Sequence, residues 1–175
     1  MRLPADTLLG QAVMELAEIQ SFPFPGKSIV PDGCRVLFDR RLVRGETMAS
    51  VLESFRQALA GLDAWQIEFA TAHVDCFTGK VLEMPDFHPG WAIDTAGDWY
   101  GRAARGLRTA GLEPAPFVAP YCTNGSYSAG RAGIPTIIFG PSTIELAHGI
   151  DEYIEVEELL RGAEGFVGLA RELGR

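Results

Sequence analysis

The stretch CRVLFDRRLVRGETMASVLESFRQALAGL, Cys34–Leu62, changes its hydrophobic period halfway along. At its start Val36 and Phe38 alternate with Arg35, Leu37 and Asp39. Period two is the pattern of a strand with one wet face. From Glu46 onward the apolar residues are Met48, Val51, Leu52, Phe55 and Leu59, which is helical spacing, and Ala60-Gly61-Leu62 is a stop signal. The stretch therefore predicts a strand over 34–42 followed by a helix over 46–59, and an α+β first half.

Upstream, QAVMELAEIQSF (Gln11–Phe22) mixes small and apolar residues that suit helix or strand, and we read a strand over 12–19. Three prolines and two glycines make the intervening FPFPGKSIVPDG irregular. Downstream, WQIEFATAHV alternates again and predicts a strand near 65–72. The texture then changes at FTGKVLEMPDFHPGWAID, a Pro/Gly-interrupted stretch that reads as a crossing between domains. Two domains are expected, 1–83 and 84–175. In the second, TAGDWYGRAARGLRTAGLEPAP reads as a helix ending near Gly111 and PFVAPYC as a short strand. TNGSYSAGRAGIP is a loop entering a short helix, and IPTIIFGP is a continuous apolar run of the kind buried on both faces of an α/β sheet. The terminal EVEELLRGAEGFVGLARELG is an amphipathic helix with Leu159, Leu160, Ala163, Phe166, Leu169 and Ala170 on one side. The second half should thus supply two strands and two or three helices to a larger α/β sheet.

The 175 residues fit one domain or two small ones, and a hydrophobic fraction of 47% is enough to build a core. A net charge of −8 with scattered Lys and Arg argues against nucleic acid, whose phosphates require clustered cations. No window reaches the roughly 18 apolar residues of a membrane span. MRLPADTLLGQ places a proline and an acid where a signal peptide keeps its apolar core, so a cytoplasmic setting is expected. Cys34, Cys76 and Cys122 are far apart and read as reduced thiols.

In FGPSTIELAHGIDEY (Phe139–Tyr153), His148 follows a strand-like run, where α/β sheets collect ligand-facing groups. A neutral imidazole is the commonest metal ligand, and Asp151 or Glu152 could orient it. One histidine is not a site, however: a catalytic zinc needs about three protein ligands. His73 and His88 lie in other elements, far from His148 in the sequence. From the residues alone, His148 is open between ligand, base and incidental loop residue. Cys122 is open between nucleophile and inert thiol. The motifs G-x-S-x-G, P-loop and G-x-G-x-x-G are absent.

SIVPDGCRVLFDRRLVRGET resembles the lid, or dimerisation, domain of the zinc metallopeptidase and amidohydrolase family of aminoacylases, acetylornithine deacetylase, succinyl-diaminopimelate desuccinylase and carboxypeptidase G. TNGSYSAGRAGIPTIIFGPSTIELAHGIDEYIEVEELL is similar to that family's closing block, with GIPT-x-x-FGP followed by AH-x-x-DEY. The TNG and DRRL wording is similar to a hydrolase subgroup linked to selenium metabolism. The resemblance implies a partial ferredoxin-like lid sheet followed by the C-terminal part of a zinc-peptidase α/β domain. It implies two zinc ions, with His148 matching the last histidine ligand. Arg41 matches a lid residue that contacts the substrate carboxylate, a task suited to a guanidinium fork. Thr123, Asn124 and Gly125 match a loop lining the substrate site. For each of these a plainer reading stands beside it: a surface arginine, and an ordinary Asn-Gly turn.

In that family an H-x-D motif, a bridging aspartate and a catalytic Glu-Glu pair precede the lid block. Residues 1–26 of this sequence hold no histidine and no Glu-Glu pair; His73-Val74-Asp75 and Glu157-Glu158 fall after the block. The chain therefore resembles a C-terminal half. Two-metal hydrolysis needs paired cations and a general base, so inactivity alone is expected. Its expected partner is a missing N-terminal half or complementary chain, with homo-oligomerisation through the lid. The competing class is a non-catalytic dimerisation module. Strands without their usual neighbours should leave a large apolar patch exposed.

Overall fold

A computed structural model describes residues 1–147 and 149–174. The chain forms two units: Met1–Trp91 with Pro120–Arg131, and Ala92–Ala119 with Ala132–Arg175. Among the described residues all strands pair in antiparallel two-stranded sheets, which with the helices makes an α+β chain.

The first unit begins with a short hairpin, β1 (Ala5–Asp6) and β2 (Gly10–Gln11). β3 (Val13–Phe22) pairs with β4 (Gly33–Arg41), from Val13 opposite Arg41 to Phe22 opposite Gly33, with a register shift between Leu16 and Glu18. β4 falls where the alternation placed it, and β3, from residues that suit helix or strand, is a strand that overlaps the expected 12–19 and runs on to Phe22. Helix α1 (Met48–Ala58) follows. It starts where Thr47 accepts from the Ser50 amide and Ser50 Oγ accepts in return from the Thr47 amide. This reciprocal cap satisfies two donors that the first turn cannot pair internally. α1 lies on the sheet through Phe38 and Phe55, whose ring centroids are 5.5 Å apart. Ala12, Val43 and Val51 are buried.

The strand expected over 65–72 is displaced. Residues 65–70 join no ladder, and β5 (Thr71–Asp75) pairs instead with β6 (Val81–Pro85). A tight turn makes this hairpin: Gly79 has φ +80°, its amide donates to the Cys76 carbonyl, and the Cys76 amide donates to that of Lys80. The stretch read as an irregular crossing thus begins as half of a hairpin.

The first hairpin is tied down by charge. Arg44 Nε donates to Asp6 Oδ2 at 2.8 Å and Nη2 to Oδ1 at 3.0 Å. These bonds to Arg44, followed by those from the backbone amides of Leu9 and Leu8, lower the Asp6 pKa from 3.8 to about 2. A lowered folded-state value means a stabilising contribution present above the unfolded pKa and lost as pH falls through the folded one. We therefore expect the hairpin to loosen between roughly pH 4 and pH 2. An NMR titration of the Asp6 carboxyl carbon checks this, and Arg44→Ala should return its midpoint toward 3.8.

The second unit packs α2 (Asp98–Thr109) against α4 (Val156–Leu173). Ala103, Leu107 and Leu169 are its buried centre, with Leu112, Ile137, Phe139 and Leu173 against them. The buried positions of α4 are Gly162, Gly165, Gly168 and Leu169. The expected leucine-rich face is corrected in part: Leu169 is buried and Phe166 meets Phe139 with ring centroids 5.1 Å apart, but Leu159, Leu160 and Phe166 are 52%, 61% and 53% exposed. Glycine wins the contact because its missing Cβ lets backbones approach. A Cβ on Gly106 would sit 2.6 Å from the Gly168 carbonyl oxygen.

No strand follows β6 among the described residues, so both strands expected in the second half are corrected. Ile137 and Phe139 pack inward, while Ile134 and Ile138 stay 56% and 45% exposed, so this run is not buried on both faces. An apolar run becomes a strand only when a neighbour takes up its backbone hydrogen bonds. Among the described residues the only strand pairs join consecutive strands. The helix ending near Gly111, the short helix after Asn124 and the terminal helix all form, the short one as α3 (Gly125–Ser128).

Candidate functional site

β4 carries two consecutive arginines, and the alternation of a strand sends them opposite ways. Arg40 turns to α1, donating from Nη1 to Ser54 Oγ at 2.9 Å and from Nη2 to Glu46 Oε1. The Arg40 and Glu46 side chains are only 7% and 8% exposed. Arg41 is 46% exposed. Its Nη2 donates to Asp39 Oδ2 at 3.3 Å and its Nη1 to Cys122 Sγ at 3.8 Å, across 81 positions of chain.

Cys122 opens the loop that holds the other expected substrate residues. Thr123 Oγ1 accepts from the Gly125 amide at 3.1 Å, and the Thr123 carbonyl accepts from Ser126. The Asn124 carbonyl accepts from the amides of Tyr127 and Ser128, which winds α3. Ser126 is buried. Gly125 lies against the Trp91 indole: an added Cβ would sit 2.7 Å from Trp91 Cε2. Gly125 is therefore a close-approach glycine as well as a turn residue. Trp91 backs this loop and was not among the residues singled out from sequence. Its partner is a glycine 34 positions away, a pairing with no local pattern to betray it.

Gly125→Ala is expected to push the loop off Trp91, costing about 1–3 kcal/mol as an overpacking change. The Trp91 indole N–H resonance should shift strongly. An unmoved resonance in a stable variant would contradict the contact.

Arg41 and the Thr123–Gly125 loop thus come together in the first unit. His148, the expected metal ligand, lies outside the described residues. Around it, Ser142 and Asp151 have φ of +72° and +59°, backbone that non-glycine residues seldom adopt. A 3₁₀ turn spans Ile144–Leu146. The Thr143 hydroxyl, by hydrogen bonding, holds the Glu145 carboxyl below its usual range. Among the described residues no group of three or more His, Cys, Asp or Glu could hold a metal ion. Those residues alone do not fit a zinc centre. His73 pairs with Glu83 across the β5–β6 hairpin at 3.1 Å, and His88 with Asp86 at 2.8 Å, as ordinary surface contacts. No described helix is long and apolar enough to cross a membrane.

Comparison with known proteins gives three findings. The model of peptidase family M20/M25/M40 matches residues 26–172. The chain is 33% identical over 156 residues to Uncharacterized protein YgeY of Escherichia coli K12, covering 86% of this chain and 38% of that protein. It is 24% identical over 138 residues to N-formyl-4-amino-5-aminomethyl-2-methylpyrimidine deformylase of Halalkalibacterium halodurans, covering 77% of this chain and 32% of that protein. The chain therefore spans 32% to 38% of the length of these relatives. No solved structure matches it.

Proposed function

The chain belongs to peptidase family M20/M25/M40, a family of metal-dependent hydrolases, and from that premise we propose that it is the substrate-recognising part of a di-zinc amidohydrolase. The substrate is an acylated amino acid or small peptide. Arg41 receives its carboxylate, the Thr123-Asn124-Gly125 loop lines its site, and His148 is one zinc ligand. The remaining ligands and the general base come from polypeptide outside this chain, and without them the chain is inactive. On this reading residues 1–83 are part of a ferredoxin-like lid, and 84–175 the C-terminal portion of a catalytic α/β domain.

One observation carries the reading: the Arg41 guanidinium hydrogen-bonds to the first residue of the Cys122–Gly125 loop, from 81 positions away. A guanidinium beside a loop rich in backbone and hydroxyl donors is suited to a substrate carboxylate. The deformylase relative, which by its name removes an N-formyl group, supports an amide-type bond as the target.

The test starts from the DNA preceding the Met1 codon. We expect a reading frame encoding His-x-Asp and a Glu-Glu pair. Co-produced with this chain, its product should hydrolyse N-acetyl amino acids in a chelator-sensitive way, and His148→Ala should abolish that turnover. Chelator-sensitive turnover by the 175-residue chain alone would overturn the incomplete-site reading, as would a stoichiometric pair of tightly held zinc ions.

A second reading, a non-catalytic dimerisation module, draws on the edges of the β3–β4 sheet. Leu16 and Ile19 are 54% and 66% exposed, and no further strand covers either edge among the described residues. Exposed apolar edges invite pairing. Sedimentation of the purified chain should show association that increases with concentration, and a monodisperse monomer at high concentration would count against this reading.

A further inference from the structure

We propose that Cys122 is a positioning residue for Arg41, a sulfur acceptor that, with Asp39, aims the guanidinium at its ligand; this rests on the reading of Arg41 as the carboxylate receptor. An arginine carries five N–H donors in a rigid plane. Among the described residues Arg41 spends two, on Asp39 Oδ2 and Cys122 Sγ. Three remain, enough for a two-point grip on a carboxylate. The two anchors differ in what they do. Asp39 sits two residues away on the same strand and holds Arg41 by charge. Being anionic, it also competes with an incoming carboxylate for the same guanidinium. Cys122 comes from the distant loop, accepts through sulfur, and ties the direction of Arg41 to the position of Thr123 and Asn124. The loop itself is held from behind, by Trp91 against Gly125. The chain of contacts Trp91, Gly125, Thr123, Cys122, Arg41 therefore fixes receptor and loop as one piece. A half-exposed arginine loses rotamer freedom when it binds. An anchor that removes that freedom beforehand strengthens binding without touching the ligand.

The experiment uses the full 175-residue chain labelled with ¹⁵N. N-acetylglycine is titrated against it, with N-acetylglycinamide, which lacks the carboxylate, as control. In the wild type the Arg41 Nε–H resonance should move with the acid and hardly with the amide. Cys122→Ala should weaken binding of the acid about two- to tenfold, the span a net side-chain hydrogen bond carries. Cys122→Ser, whose hydroxyl also accepts, should recover most of that loss. In the free chain, Cys122→Ala should lower the heteronuclear NOE of Arg41 Nε–H while the α1 amides stay unchanged. If Arg41→Lys binds the acid as well as the wild type, or the wild type does not bind it, the carboxylate reading falls and this inference with it. If Arg41→Lys loses binding while Cys122→Ala changes neither affinity nor NOE, the carboxylate reading stands and the positioning role of Cys122 is wrong.

Discussion

Gly168→Ala is expected to destabilise the second unit by about 2 kcal/mol or more, although alanine is the better helix former. The sign follows from what the new methyl would meet. Gly106 of α2 and Gly168 of α4 face each other so closely that a Cβ on Gly106 would lie 2.6 Å from the Gly168 carbonyl oxygen and 2.9 Å from its carbon. A Cβ on Gly168 would meet the Gly106 carbonyl oxygen closer still. Both obstacles are backbone, so no side chain can swing aside and the helices must part. Parting them opens the packing around Ala103, Leu107 and Leu169, the buried centre of this unit. The helix-propensity gain of up to about 1 kcal/mol works in the opposite direction, and a control isolates it. Gly101 lies on the same helix as Gly106, and a Cβ there would meet only the end of the Arg105 side chain, at 3.8 Å. Gly101→Ala should therefore be neutral or stabilising. Denaturant unfolding followed by helical circular dichroism ranks the two variants. Equal stability for both would show that α2 and α4 are not in backbone contact.

That contact shows where reading from sequence stopped. α4 was legible as an amphipathic helix because period and length suffice to predict one. Which face would pack was not. Leu159, Leu160 and Phe166 are the more hydrophobic choice, yet the glycine face makes the contact, because close approach depends on shape and shape needs the partner helix. β4 and α1 were legible for the same local reasons, whereas the residues of β3 suited helix or strand. The run Ile134–Gly140 has the composition of a strand, but pairing is a property of two segments, and none of the described residues pairs with it. The β5–β6 hairpin was lost for a simpler reason. Its turn at Thr78-Gly79 sits at the edge of a Pro/Gly-rich stretch, and the breakers beyond it masked the alternation within it.

The site divides along the same line. No periodicity marks Arg41, and its candidacy came from resemblance to a family motif. Its meeting with Cys122 is tertiary, and so is the backing of Gly125 by Trp91. What the strand pattern did carry is that Arg40 and Arg41 must face opposite ways. Only one of the two can be a site residue.

Glu46→Ala is the substitution that separates them, with an expected loss of about 3–5 kcal/mol from the first unit. Glu46 accepts from Arg40 Nη2 through Oε1 and from the Val43 amide through Oε2 at 2.8 Å. With both side chains less than one-tenth exposed, removing the carboxylate strands a guanidinium away from water. Arg40 Nε already has no partner among the described residues, so nothing nearby stands ready to take up the lost bonds. The double change Arg40→Met with Glu46→Leu removes both charges and should restore most of the stability, because apolar pairs of similar volume often replace buried ion pairs without loss. Arg41→Ala should leave stability within about 0.5 kcal/mol, as expected for a half-exposed side chain away from the core, while abolishing the preference for N-acetylglycine over its amide. Urea unfolding of the four chains, read beside that acid-against-amide titration, decides the assignment. If Arg41→Ala proves as destabilising as Glu46→Ala, the arginine assigned to the ligand is a structural residue, and the carboxylate must be sought elsewhere.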